Sequence, residues 1–109
     1  MATLTAQRII RAGLDPAYAA AAGGGDDFQP GPDVFVHIKN ASGGSITATF
    51  VTPREVEGLA VADLAVAIPA GDERMVGPFD AATYADPSTG LCPITYSGVT
   101  SLTVGVFRL

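Results

Sequence analysis

The sequence contains one cysteine, Cys92, one histidine, His37, and no tryptophan. A lone cysteine excludes an intramolecular disulfide and a thiolate metal cluster, and Cys92 with His37 supplies too few soft ligands for a closed zinc site. Cys92 reads instead as a small apolar strand residue. Triad chemistry needs a base beside a nucleophile. His37 lies in an alternating run with no partner motif, so it reads as a strand side chain, hydrogen-bonded or partly exposed, rather than as a catalytic base. Tyr18, Tyr84 and Tyr96 are too few and too scattered to make a platform for sugars. Charge is scarce as well: 16% of the 109 residues are charged, against about 25% in typical soluble domains. The net charge is −5, and the six basic residues (Arg8, Arg11, Lys39, Arg54, Arg74, Arg108) are dispersed. Nucleic-acid binding needs a clustered basic stripe, so none is expected.

No stretch is long and apolar enough for a membrane span, and Met1 to Leu14 lacks the apolar core of a secretory signal. Synthesis and retention in the cytoplasm are expected. The adjacent acids Asp26-Asp27 and Asp72-Glu73 point to opposite sides of an extended chain and read as solvated turn residues. Gly23 to Gly25 lacks the lysine of a phosphate-binding loop. Neither a cofactor nor a metal is expected, and an enzyme is the least supported class.

What is present is a change of pattern near Gly31-Pro32. Before it, Ala6, Ile9, Ile10, Gly13 and Leu14 recur at helical spacing, with Gly13 and Pro16 as a stop. Asp15-Pro16 then offers a cap for a second short helical piece over Ala17 to Ala22, closed by Gly23 to Gly25. Such pieces are too short to stand alone. Residues 1–32 are therefore expected to form an arm that folds on a neighbour through Leu4, Ile9, Ile10, Leu14 and Tyr18. These five are the candidate interface residues.

Residues 33–109 alternate with period two. Val34, Val36 and Ile38 alternate with Phe35, His37 and Lys39, and after Ala41 to Gly44, Ile46, Ala48 and Phe50 alternate with Thr47, Thr49 and Val51. The two runs read as a hairpin. A charged loop through Arg54, Glu55 and Glu57 follows. Leu59 and Val61 then sit in one phase and Leu64, Val66 and Ile68 in the other, with a turn or bulge at Ala62-Asp63. Pro69 to Asp72 is a tight turn, Glu73 to Phe79 a strand, Ala81 to Tyr84 a helical turn or short strand, and Asp86 to Gly90 a loop. Two final strands run from Leu91 to Tyr96 and from Leu102 to Phe107. About six or seven short strands predict a mainly β protein, an antiparallel β-sandwich or small barrel. Ile38, Phe50, Val66, Ile94 and Val104 are its expected core.

Leu4-Thr5 through Arg11-Ala12-Gly13-Leu14, the Ala/Gly stretch ending in Gly-Asp, and Val34-Phe35-Val36-His37-Ile38-Lys39-Asn40 resemble the start of small head proteins of tailed phages infecting actinobacteria. Gly58 to Asp63, Ile68-Pro69-Ala70-Gly71, Val76-Gly77-Pro78-Phe79 and Ile94-Thr95-Tyr96-Ser97 extend the resemblance over nearly the whole chain. It implies a capsid decoration or minor capsid protein, located on the virion surface, with the major capsid protein as partner. Proteins of this kind sit as trimers on local threefold axes or as monomers at capsomer centres, and self-association as a trimer is favoured here. A head-to-tail connector or tail-tube component is the neighbouring alternative, and a ligand- or sugar-binding β-sandwich a more distant one.

Overall fold

The computed structural model describes residues 2–52, 55–60 and 62–109. Arg54 of the charged loop and Val61 of the alternating run lie outside the described residues. The chain forms a β-sandwich of two five-membered mixed sheets. Its strands are β1 (Ala2–Leu4), β2 (Gln7–Arg8), β3 (Ala19–Ala20), β4 (Asp26–Phe28), β5 (Val34–Asn40), β6 (Ile46–Phe50), β7 (Glu55–Val56), β8 (Leu59–Ala60), β9 (Leu64–Ile68), β10 (Glu73–Val76), β11 (Cys92–Tyr96) and β12 (Leu102–Arg108). One helical turn, α1 (Ala81–Tyr84), is capped by the Asp80 carboxylate, which accepts from the Ala82 amide. One sheet runs β1-β4-β11-β6-β9. The other runs β10-β5-β12-β2, with β3 also on β12, while β7 and β8 form a separate small hairpin. The body measures 40 × 36 × 20 Å, and its thin axis suits two sheets stacked about 10 Å apart.

Alternation puts Val34, Val36 and Ile38 of β5, Ile46, Ala48 and Phe50 of β6, Cys92 and Ile94 of β11, and Leu102, Val104 and Val106 of β12 between the sheets. Of the expected core, Ile38, Phe50, Ile94 and Val104 are buried there. Val66 is half-buried against it, and Ile68 is the deeper residue of β9. Phe28, Phe50 and Phe79 form an aromatic centre with ring centroids 4.8 to 6.2 Å apart. Tyr84 adds an edge contact to Phe79 at 5.1 Å.

Two expectations are corrected. The runs Val34–Asn40 and Ile46–Phe50 do not form a hairpin. β5 pairs with β10 and β12, and β6 pairs with β9 and β11, so the two face each other across the core. The Asn40 side chain explains the crossing. Its Oδ1 accepts from the Ser42 amide and hydroxyl, and its Nδ2 donates to the carbonyls of Gly44, Ile68 and Pro69, fixing an arch from one sheet to the other.

The second correction concerns residues 1–32. Among the described residues of this segment there is no helix and no separable arm. β1 pairs in parallel with β4 in the first sheet, and β2 and β3 pair with β12 in the second. Phe28 is fully buried, so the core crosses the boundary expected at Gly31-Pro32. The apolar spacing in this segment does serve packing, but a sheet edge supplies hydrogen-bond partners that a helix of two turns cannot replace. Both sheets accordingly contain parallel as well as antiparallel neighbours, and they stay open rather than closing into a barrel.

Candidate docking face

Between β2 and β3 the chain leaves the sheet edge and crosses the outer face of the second sheet. The excursion begins where the Ile9 amide donates to the Arg108 carbonyl at 2.8 Å. Gly13, at φ 100°, turns it back, with its amide bonded to the Ile10 carbonyl. It ends where Ala19, Ala20 and Ala21 line up with the start of β12. The strap is clasped at its neck by Gln7, whose side-chain amide donates to the Ala17 carbonyl while its Oε1 accepts from the Ala17 amide, both at 2.8 Å.

Tyr18 pins the strap to the sheet. Its ring meets Phe107 edge-on at 5.7 Å and His37 at 5.4 Å, and the Lys39 ammonium lies 4.0 Å from its centroid. The space it occupies exists because residue 105 is glycine: a Cβ there would lie 3.0 Å from the Tyr18 ring and from the Phe107 ring. The Tyr18 hydroxyl is 2.7 Å from His37 Nδ1, and His37 Nε2 is 3.1 Å from Glu73 Oε1. A carboxylate only accepts, so in the neutral ring Nε2 carries the proton and Nδ1 accepts from Tyr18. Both ring nitrogens are thereby engaged, and His37 joins the strap to β10.

The result is an apolar cavity of about 280 Å³ on the outside of the sheet. Ile9, Ile10, Leu14 and Tyr18 line it from the strap, and Phe35, His37, Met75 and Phe107 from the strands. Phe35 stacks on Phe107 at 5.7 Å. Ile10 is 49% exposed and Met75 68% exposed, so the rim is apolar and open. Four of the five candidate interface residues therefore converge. Leu4 does not join them: it is half-buried against the core and lines a larger cleft, about 490 Å³, with Gln29, Asp33 and Arg108.

The strand contribution of Phe35, Met75 and Phe107 was missed among the candidate residues. The signal was available in part, because Phe35 and His37 occupy the solvent phase of β5. What alternation could not give is that the strap would cover that phase.

The remaining reactive groups lie elsewhere. Cys92 is buried in the core, and burial, with a smaller contribution from the nearby Asp63 charge, pushes its thiol up to about 12. Burial, then the hydrogen bond and charge of Asp26, raise the Tyr96 hydroxyl as well; it donates to Asp26 Oδ2 at 2.8 Å. Comparisons of the chain with known protein families, with characterised proteins and with solved structures return no match.

Proposed function

We propose that the protein is a structural component of a phage virion that binds the outer surface of the capsid and ties neighbouring major capsid subunits together. The observation that carries this reading is the strap face. An apolar cavity rimmed by the exposed side chains of Ile10 and Met75 sits on the outside of a sheet, where a folded monomer gains nothing from exposing it. Sequence resemblance to small phage head proteins supports a major capsid protein as the partner. A low-charge surface suits a lasting contact.

The strap is already folded in the isolated chain. Docking therefore costs little ordering entropy, in contrast to an arm that would fold only on its neighbour. Its contribution is a preformed hole for an apolar capsid side chain, with the Ile10 and Met75 side chains closing around it.

The test uses heads lacking this protein, incubated with the purified chain and with Ile10→Asp and Met75→Asp variants. Binding in hundreds of copies per head, weakened tenfold or more by either substitution, is the expected result. Binding confined to the single vertex that carries the tail would transfer the reading to a connector. Undiminished binding by both variants would remove the strap face from the contact.

A further inference from the structure

We propose that the open edge of β9 pairs with β9 of a second copy, in antiparallel register about a two-fold axis at Val66. The ladder of the first sheet ends at β9, which has β6 on one side and no described strand on the other. Which backbone groups face the open side follows from the neighbouring ladder. Thr47 bonds towards β11, its carbonyl accepting from the Ser97 amide and its amide donating to the Ser97 hydroxyl. By alternation Ile46, Ala48 and Phe50 turn towards β9, where they face Ile68, Val66 and Leu64. The amides and carbonyls of Ala65 and Ala67 therefore point outward, unpaired by any described strand.

The other edges are defended and this one is not. β1 is three residues long. β10 carries Glu73 and Arg74 within the strand. The free side of β12 is covered by β2 and β3. Short strands, charges, prolines and covering segments are the usual means of stopping edge-to-edge association. Within its five residues β9, Leu-Ala-Val-Ala-Ile, carries no charge and no proline; Asp63 and Pro69 stand only at its two ends.

The same five residues are complementary to themselves. With Val66 opposite Val66 of the second copy, Ala65 faces the second copy's Ala67, and all four outward peptide groups meet as hydrogen-bonded pairs. On the core side, Leu64 falls beside the second copy's Ile68, which covers a leucine and a half-buried valine. On the outer side only alanine methyls meet. Each copy has a net charge of −5, so an uncharged edge is where two copies approach with least repulsion. Head-to-tail growth onto β1 is disfavoured, since three residues cannot satisfy five. The pairing gives a two-fold assembly rather than the trimer favoured, or the monomer allowed, by the phage resemblance. It is independent of the capsid reading, because β9 and the strap belong to different sheets.

The experiment measures the mass of the full chain by sedimentation over a range of concentrations, alongside Ala65→Lys/Ala67→Lys. Those lysines lie on the exposed outer face, where they spare the fold but stand opposite one another in the paired register; thermal melting confirms that the variant is folded. In a Cys92→Ala background, Val66→Cys and Leu64→Cys chains are oxidised with copper phenanthroline. Facing non-hydrogen-bonded residues lie about 4.5 Å apart between Cα atoms, within the range of a disulfide. The two position-64 residues lie about 14 Å apart. A dimer weakened at least tenfold by the lysines, with cross-linking at position 66 and not at 64, is the expected result. A chain that stays monomeric throughout, a dimer indifferent to the lysines, or equal cross-linking at both positions would overturn the proposal. So would a monomer whose lysine variant fails only to bind heads, because the edge would then belong to a capsid strand.

Discussion

Gly105 has a steric role that its neighbours in β12 do not share. Its missing side chain is the seat of the Tyr18 ring. Gly105→Val inserts three carbons into that seat, and a tightly packed site resists such additions at a cost of about 1–3 kcal/mol. The expected outcome is a lower melting temperature together with faster hydrogen exchange at Ala19 and Ala20, because the strap lifts. Unchanged exchange there would mean that Tyr18 does not hold the strap. Cys92 gives a second test at this scale. Its folded-state pKa is raised from 9.0 to about 12, so between those values the unfolded chain loses a proton that the folded chain keeps. Stability must then fall as pH rises from about 9 towards 12. Cys92→Ala should flatten that decline, as read from urea midpoints measured over this pH range. An identical decline would show that the thiol does not contribute.

The strap is the element whose behaviour depends most on one side chain. The two bonds between Gln7 and the Ala17 backbone close its neck on the exposed side of the sheet. Gln7→Ala removes both while leaving the core intact. Hydrogen exchange should accelerate over residues 9–18, with a change in global stability of about 1 kcal/mol or less; exchange confined to its original rate would assign the closure to Tyr18 alone. Strand elements such as β5, β6, β9, β11 and β12 were legible because alternation and turn residues record which face is buried. The partners of each strand were not. β5 and β6 share a phase whether they lie side by side or face to face, and the feature that favours the crossing is the buried Asn40 side chain, bonded to a carbonyl within the arch, at Gly44, and to one at the end of β9, at Ile68. The strap was misread for a related reason: the spacing of Ile9, Ile10, Gly13 and Leu14 fits a helix as well as a loop that lays the same side chains on a sheet. Its apolar residues were identifiable as contact-makers, but not the surface they contact.

At the scale of the whole molecule, the described residues 2–32 contribute strands to both sheets rather than forming an appendage. A chain starting at Asp33 loses β1 to β4, including Phe28, whose ring packs on Phe50 and Phe79. Loss of one buried phenylalanine costs about 3–5 kcal/mol, of the order of a small domain's entire stability. Such a chain should show no cooperative thermal transition. A cooperative melt with native-like strand content would restore the arm as an independent segment.

The closure of the strap against β12 also sets an order of events. Among the described residues β2 and β3 find their strand partners in Leu102–Arg108, so during synthesis residues 7–20 wait until those later strand residues have followed. Contacts between such distant parts of a sequence form slowly compared with local ones, and the face is completed in one late step. If the strap face docks as proposed, a surface made this way acts as a timer, because it exists only once β12 has closed on β2 and β3.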